Sequence, residues 1–463
     1  MRVLMVSVWA VLMTFGFWGS QLSRAQNAFS PILGTGIAAL QGSNSASSAL
    51  SQSDFASKDC SGALATGYTR IFIAARSDGK PGTGSPSDPF DGSSAEKFDG
   101  VIRGRSESGT TQLIVCIGPG TFQTEGSRDF IQGQGHLDKV HPGGFTVNAG
   151  WKIHGAAMDR TTLRLIDLFA DPSTGKYLEG IIIGTYNFDS SGIEVSDMTL
   201  DDNYPVLKPR YHSDLGLVAV ILRSNRGHQW IHNIHVMNAS GETREEFPVG
   251  ISSPMPNPEN QGNLVEYVTM DHWAGGKCTA IMIAGGSGEV RYNTVSGYHI
   301  GYGGWSMSNV NFHDNKAIDT PWGFNIDSWT NTGIVIAHNQ IVHPLYGVVV
   351  GGTGEFTNFS ILDNTVTVGP TTIYGLVFQG HVSGFRVLRN KIITDRPTGA
   401  SNVLGFFEKG DRNVNNIFQQ NVVSSSFKNS VQGSECLWGN VSENGQEAPS
   451  LRNTRNTRCL ADQ

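Results

Sequence analysis

The second half of the chain alternates short apolar runs with single turn residues, in a pattern that recurs about every 25 residues. One repeat spans residues 333–352 and contains three β-branched runs, separated by Asn339, Pro344 and Gly347. The next repeat, 359–380, has the same organisation. Short Val- and Ile-rich runs bounded by Asn, Pro and Gly are typical of strands joined by tight turns. Each repeat therefore predicts three strands.

Asparagine marks the same turn in successive repeats. Five such asparagines are separated by 24, 25, 26 and 31 residues, and a sixth precedes them by 22 residues. They are Asn293, Asn315, Asn339, Asn364, Asn390 and Asn421. A fixed period of this size is the signature of a solenoid, whose coils bury their apolar faces by stacking. Because the asparagines are in phase, we expect a buried, hydrogen-bonded amide ladder and not isolated turn residues.

These repeats predict an all-β fold, a right-handed parallel β-helix of about ten coils. A leucine-rich horseshoe has a similar period, but it needs a Leu-x-x-Leu-x-Leu frame, whereas the inward positions here are mostly Val and Ile. The predicted first strands of the coils are Phe145–Asn148, Gly180–Thr185, Leu217–Arg223, Val249–Ser253, Thr279–Gly285, Ile300–Trp305, Gly323–Trp329, Gly347–Gly352, Gly375–Gly380 and Leu404–Gly410.

The chain divides into four predicted segments. Residues 1–25 predict a signal peptide, because an apolar run follows Arg2 and a small-x-small cleavage site ends at Ala25; the alternative is an N-terminal membrane anchor. Residues 26–68 predict a flexible lead-in, 69–429 the β-helix with a cap to about 122, and 430–463 a tail. We expect a secreted or periplasmic protein with no membrane span after signal removal.

Five cysteines fit an oxidising compartment. Cys60 could pair with Cys116, and Cys436 with Cys459, whereas Cys278 begins a strand and predicts a buried thiol. The absence of a Cys-x-x-Cys pair argues against a structural zinc site.

An N-terminal cap is predicted by a strand from Arg70, a turn-rich loop ending at Phe90, an amphipathic helix over Ser94–Arg103 and a strand over Leu113–Phe122. A helix at the open end of a β-helix prevents edge-to-edge pairing. This segment and the Asn-centred coils resemble the pectate-lyase-like superfamily of secreted right-handed β-helices. The resemblance implies a fold but no single chemistry, because the superfamily includes lyases, hydrolases, epimerases and adhesins.

In that superfamily, ligands usually lie along the sheet that the first strand of each coil forms, which we call the first-strand sheet. Long insertions flanking this sheet should therefore mark a site, and the two longest are Asp201–Asp214 and Asn238–Phe247. The stretch from Pro205 to His235 carries four Lys or Arg residues, one Asp and four His residues, in a chain of net charge −7. A local basic patch suits an acidic polysaccharide such as a polyuronate, whereas an acidic, secreted protein is a poor nucleic-acid binder. The alternative is that these charged residues lie in solvated loops and bind no ligand.

The sequence predicts β-elimination from a uronate, which needs a base and a cation to stabilise enolate-like charge. The candidate catalytic residues are Arg223, His212, Arg210 and Tyr211, with Tyr211 as proton donor. The candidate Ca²⁺ ligands are Asp201, Asp202 and Asp214. The candidate substrate-binding residues are Asn325, Asp327, Trp305, Trp329, Lys208 and Arg226; alternation along the strand points Asn325 and Asp327 outward.

Two other functions stay open. Hydrolysis needs paired carboxylic acids, and Asp201-Asp202 resembles the double Asp of polygalacturonase-like β-helices, although the companion motifs of that family are missing. A non-catalytic carbohydrate-binding or adhesive β-helix is the other alternative, which the long insertions disfavour because a stalk needs only regular coils.

Overall fold

The computed structural model describes residues 54–55, 57–127, 143–170, 178–185, 189–253, 256–394, 404–409, 415–423, 431–432 and 441–442. All of them belong to one compact unit, Ser47–Gln463. The predicted signal peptide, most of the lead-in and the Cys436–Cys459 pair lie outside the described residues.

Three helices occur in the described chain: α1 (Lys58–Ser61), α2 (Ala95–Glu107) and α3 (Tyr204–Tyr211). Helix α2 confirms the predicted cap helix. The Ser94 hydroxyl accepts a hydrogen bond from the Lys97 backbone N–H at its start, as N-cap serines do, and Phe98 and Ile102 on its inner face are buried in the core.

The remaining elements are strands. In chain order they are β1 (Thr69–Ala74), β2 (Phe90–Asp91), β3 (Leu113–Ile117), β4 (Gly120–Thr124), β5 (Lys152–His154), β6 (Thr161–Leu165), β7 (Phe169–Ala170), β8 (Leu178–Thr185), β9 (Glu194–Asp201), β10 (Leu215–Arg223), β11 (Trp230–Met237), β12 (Ser240–Glu246), β13 (Val249–Ser252), β14 (Asn263–Asp271), β15 (Gly276–Ala284), β16 (Gly288–Arg291), β17 (Thr294–Ser296), β18 (Ile300–Gly304), β19 (Val310–His313), β20 (Lys316–Ile318), β21 (Trp322–Asp327), β22 (Asn331–Thr332), β23 (Val335–Ala337), β24 (Gln340–Val342), β25 (Tyr346–Gly351), β26 (Glu355–Thr357), β27 (Ser360–Leu362), β28 (Thr365–Val368), β29 (Tyr374–Gln379), β30 (His381–Ser383), β31 (Arg386–Leu388), β32 (Lys391–Thr394), β33 (Leu404–Lys409), β34 (Ile417–Gln419), β35 (Val422–Val423), β36 (Val431–Gln432) and β37 (Val441–Ser442).

The strands stack as a right-handed parallel β-helix, as the sequence predicts. The first-strand sheet has the order β7, β8, β10, β12, β15, β18, β21, β25, β29, β33 and β36, with β13 between β10 and β15. The other two sides share one 22-stranded sheet, because β9, β11 and β14 are long enough to run through both. We call the side that contains β3, β5, β16, β19 and β23 the second row, and the side that contains β6, β17, β20 and β24 the third row.

The asparagine ladder is confirmed. Its six side chains are at most 1% exposed, and the amide nitrogen of each of the first five donates to the Oδ1 atom of the next asparagine at 2.9–3.1 Å. The residue before each ladder asparagine has a positive φ of 54–56°. One left-handed residue followed by an extended one bends the chain sharply, so this pair carries each coil from the second row to the third.

Nine of the ten predicted first strands coincide with strands of the first-strand sheet. The prediction for Phe145–Asn148 is wrong, since Phe145 makes only an isolated parallel bridge to Ser127. The Asn148 side chain donates instead to carbonyl groups of Ser106 and Thr110. This segment therefore holds the cap in place and adds no strand to the first-strand sheet.

The cysteine predictions that fall on described residues are confirmed. Cys60 and Cys116 form a disulfide, which ties α1 to β3, and Cys278 is a buried thiol in the core. The disulfide places α1 over the outer face of the second row.

A buried carboxyl in the cap predicts a pH-dependent stability. Asp99 on α2 is 1% exposed, and burial raises its pKa from 3.8 to about 7. The folded state binds this proton more tightly, so its stabilising contribution is complete below pH 3.8 and is lost as pH rises through about 7. Asp99→Asn should remove this fall, gaining roughly 3–4 kcal/mol relative to wild type between acidic and neutral pH. Urea unfolding across that range measures it, and parallel curves for both proteins would contradict it.

Candidate functional site

The middle of the outer face of the first-strand sheet is apolar. Strand register aligns Ile221, Gly250, Met282, Gly303, Asn325, Val349 and Val377 in one outward row. Its apolar side chains are 1–7% exposed. The described residues of this row carry no charge, and charged side chains lie at the two edges of the face, where the strands begin and where they end.

At the edge where the strands end, the outward row carries a guanidinium and a carboxylate. Arg223 ends β10 and Asp327 ends β21, and both continue the same outward row, two residues beyond Ile221 and Asn325. The Asn325 amide donates to Asp327 Oδ2 at 2.9 Å, as expected for two outward residues on one strand. Burial raises the pKa of Asp327 above its ordinary value.

Two of the predicted tryptophans lie at this same edge. Trp305 follows β18 and packs on Phe247 with ring centroids 5.1 Å apart. Trp329 follows Asp327 by two residues and is 49% exposed. Exposed indole beside polar groups offers a flat apolar surface with hydrogen-bonding neighbours. The structure thus groups Arg223, Trp305, Asp327 and Trp329 along one edge.

The other predicted catalytic residues lie at the opposite edge. Helix α3 ends at Tyr211, just before β10 begins at Leu215. Arg223 is eight residues further on, roughly 26 Å along an extended strand. Arg210, Tyr211 and His212 are therefore not placed to act together with Arg223, although the sequence groups them. This separation corrects the predicted catalytic quartet.

Contacts with the segment before β7 also occupy two of these side chains. The Tyr211 hydroxyl donates to Asp167, and burial together with that carboxylate raises the pKa of Tyr211 to about 12, which weakens it as a proton donor. The Arg210 guanidinium donates to the Ile166 carbonyl at 2.9 Å. His212 is an exposed helix C-cap with a φ of 54°. Arg210 and Tyr211 therefore fasten the helix to the preceding coil.

Lys208 and Arg226, the two basic residues predicted to bind substrate, differ in their ion pairs and in their exposure. Lys208 lies 2.7 Å from Glu242, which also accepts from Tyr204, so this lysine is part of a local ion pair beneath α3. Arg226 is 56% exposed and lies 3.7 Å from both Asp189 and Glu259. Arg226 therefore keeps an accessible guanidinium three residues after Arg223, whereas Lys208 does not face the strand-end edge.

The three predicted calcium ligands do not converge. Asp201 accepts hydrogen bonds from Arg164 and Asn238, and Asp214 is 64% exposed beside Lys208. Asp202 is fully buried, neither carboxylate oxygen has a hydrogen-bond partner, and burial with the adjacent Asp201 raises its pKa well above the ordinary value. In the part of the chain that the structure describes, these residues form no cluster that could hold an ion.

The predicted basic patch is also divided between sheets. His232 and His235 lie on β11, away from the first-strand sheet, and contact Glu194 at 3.0 Å and Asp271 at 2.9 Å. They are close to Arg223 in sequence, but the chain turns between β10 and β11, and the two strands lie on different sides of the β-helix.

Sequence reasoning missed an aromatic ladder at the edge where the strands begin. Trp322, Tyr346 and Tyr374 occupy one register position on β21, β25 and β29, with ring centroids 5.2 and 5.7 Å apart. His299 extends the ladder at 6.4 Å from Trp322. The sequence does carry a signal for this ladder, because Trp322, Tyr346 and Tyr374 each immediately precede the glycine that opens a predicted first strand.

No protein-family model and no curated protein matches the chain. Among solved structures, the A-module of mannuronan C-5 epimerase AlgE6 from Azotobacter vinelandii matches with a TM-score of 0.43 and 13% identity, covering 76% of this chain and 94% of that one. The endo-xylogalacturonan hydrolase of Aspergillus tubingensis matches at 0.44 and 10%, covering 75% and 91%. The family 28 exopolygalacturonase of Yersinia enterocolitica matches at 0.39 and 10%, covering 74% of each chain.

Stacked parallel strands on three sides and a buried asparagine ladder decide the architecture. The chain has a right-handed parallel β-helix fold. In this fold, the apolar outward row and its two polar edges form the long face of the first-strand sheet. Within the described residues, no helix is long and apolar enough to cross a membrane.

Proposed function

We propose that the protein acts on an acidic polysaccharide that lies along the first-strand sheet, and that it cleaves this polymer by β-elimination. The observation that carries the proposal is the placement of Arg223, an outward guanidinium at the strand-end edge, in line with Asp327 and Trp305. The Cys60–Cys116 disulfide supports the proposed secreted location, because disulfides persist in oxidising compartments.

The distribution of charge favours elimination over hydrolysis. Among the described side chains of the first-strand sheet from β10 to β29, Asp327 and Glu242 are the carboxylates, and Glu242 is already paired with Lys208. Glycoside hydrolysis ordinarily requires two carboxyl groups flanking the scissile bond. Elimination requires a cation at the uronate carboxylate instead, and Arg223 is suited to bidentate recognition of that group.

In the proposed reaction, a base removes the proton α to the uronate carboxylate. The electron pair left on carbon forms the ring double bond, the bond from the adjacent β-carbon to the glycosidic oxygen breaks, and that oxygen takes a proton as it leaves. Negative charge builds on the carboxylate during this step, and Arg223 would stabilise it. A bound Ca²⁺ would supply a second positive charge; the oxygen donors on this face are Asn325 Oδ1, which is buried without a hydrogen-bond partner, and the Asp327 carboxylate.

Because the Trp329 indole is exposed at the same edge, we expect its removal to weaken ligand binding without lowering the stability of the protein. Trp329→Ala should weaken binding of a matching oligosaccharide roughly tenfold, because one exposed aromatic contact contributes on the order of 1–2 kcal/mol. The melting temperature should stay unchanged, since Trp329 is 49% exposed. Calorimetric titration measures the affinity. An unchanged affinity would show that the sugar does not reach this end of the face.

The proposal is tested by incubating the purified mature protein with pectate, alginate, glucuronan and glycosaminoglycans, with neutral xylan and glucan as controls. Elimination releases fragments one water lighter than hydrolysis does, so mass spectrometry separates the two reactions. Parallel samples with calcium and with EDTA test the cation. Cleavage confined to neutral polymers, or fragments carrying an added water, would overturn the proposal.

A further inference from the structure

Three polar side chains meet on the outer face of the second row, away from the first-strand sheet. They are Asp59 of α1, His154 of β5 and Glu194 of β9, and their ligand atoms all lie within 4.8 Å of one another. The disulfide partner Cys116 pairs in register with His154 on the next strand. Because Cys60 follows Asp59 directly, the disulfide holds the Asp59 carboxylate beside this imidazole.

The tautomer of His154 is set by a short relay. The Ser196 hydroxyl donates to Asp197 Oδ2 at 2.6 Å, so its oxygen is left to accept from His154 Nδ1, 2.7 Å away. With the proton on Nδ1, the Nε2 lone pair of the neutral imidazole points at the two carboxylates. A hydrogen bond from the second nitrogen of a histidine is the usual way in which proteins orient a metal ligand.

The Nε2 atom itself has no hydrogen-bond partner, although His154 is only 1% exposed. It lies 3.6 Å from Asp59 Oδ2 and 4.0 Å from Glu194 Oε1. Tetrahedral zinc with bonds of about 2.1 Å holds its ligand atoms roughly 3.4 Å apart. The gap is therefore too wide for direct hydrogen bonds and close to the spacing around a small divalent cation.

We propose that Asp59, His154 and Glu194 form a binding site for a divalent transition metal of the zinc class, which fastens the cap helix α1 to the second row. One imidazole and two carboxylates with a fourth position for water suit Zn²⁺. The site is separate from the proposed polysaccharide face, so neither proposal depends on the other.

Lys152 is the competitor for this site. Its ammonium lies 2.6 Å from Asp59 Oδ2 and 3.1 Å from Glu194 Oε2, which balances the carboxylates when no metal is bound. Glu194 Oε1 faces His232 instead, at 3.0 Å. A lysine can withdraw its charged end to water along a flexible stem. Removing this ammonium should therefore strengthen metal binding, the opposite of what a purely structural ion pair predicts.

The test is zinc titration of the intact chain by calorimetry, with metal content measured after dialysis. We expect one zinc per chain, a loss of at least about tenfold in affinity in His154→Gln, and a smaller loss in Ser196→Ala, whose hydroxyl only orients the imidazole. Lys152→Met should bind more tightly than wild type. His313→Gln is the matched control, because His313 already contacts Glu289 and Asp314, and it should bind as wild type does.

A second measurement uses cobalt, whose visible absorption reports tetrahedral nitrogen and oxygen ligation. Wild type and Lys152→Met should give this band, and His154→Gln should not, with circular dichroism verifying that each variant is folded. Binding that survives in folded His154→Gln would overturn the proposal. So would the absence of bound zinc in both wild type and Lys152→Met, which would identify the cluster as an ion-pair network alone.

Discussion

Arg223→Ala should lower the rate of polyuronate cleavage by roughly 10²–10³-fold, the usual cost of removing one group that stabilises developing charge. The substitution deletes the guanidinium at the end of β10, the one arginine among the described side chains of the first-strand sheet from β10 to β29. Arg223→Lys should recover only part of the rate, because an ammonium cannot hold a carboxylate through two parallel hydrogen bonds. Initial rates at saturating substrate measure both effects.

His212→Ala is the matched control for this prediction. His212 lies at the opposite edge of the sheet, exposed at the end of α3, so its loss should change the rate less than about twofold. Full activity in folded Arg223→Ala would remove the proposed site from this edge. A large loss in His212→Ala alone would move the chemistry to the edge where the strands begin.

Asn364→Ala should lower the free energy of unfolding by roughly 3–5 kcal/mol. The Asn364 amide nitrogen donates to the Ile336 carbonyl at 2.8 Å and to Asn390 at 2.9 Å. Its oxygen accepts from the backbone and side chain of Asn339 at 3.0 and 2.9 Å. Alanine leaves these partners buried without hydrogen bonds, in a turn that water does not reach.

Thr365→Ala is the control for the ladder, because Thr365 is the next residue and is only half-buried. It should cost less than about 1 kcal/mol, as a strand-propensity change. Urea unfolding of the two variants supplies the comparison. Equal losses in both would mean that the ladder amide contributes no more than any polar residue at this turn.

The fold could be predicted because its information is local and repeated. Asn339 and Asn364 mark the same turn 25 residues apart, and the two repeats that contain them carry the same three runs. The prediction failed at Phe145–Asn148, where the apolar pattern of a strand is present but the Asn148 side chain is committed to the cap. A tertiary contact of that kind leaves no periodic trace in the sequence.

The site was harder to predict, because neighbours in sequence are not neighbours on a strand sheet. His212 and Arg223 are eleven residues apart, yet β10 separates them along its whole length. Asp327, which shares an edge with Arg223, is more than a hundred residues away. Register between coils, not spacing along the chain, decides which side chains share an edge.

The cluster beneath α1 illustrates the same limit. Asp59, His154 and Glu194 come from three segments separated by 95 and 40 residues, and none belongs to a metal-binding motif. Only the disulfide and the pairing of β5 with β9 bring them together. The sequence indicates the cysteine pair but not what it positions.

The most direct test of the proposed function is the ultraviolet absorbance of a polyuronate solution after the purified mature protein is added. Elimination creates a double bond conjugated to the uronate carboxylate, and neither hydrolysis nor binding does. We predict a steady rise in absorbance with at least one polyuronate, which is slowed at least about a hundredfold in Arg223→Ala and retained in His212→Ala. A flat trace on every polyuronate, with or without calcium and whether or not new reducing ends appear, would contradict the account.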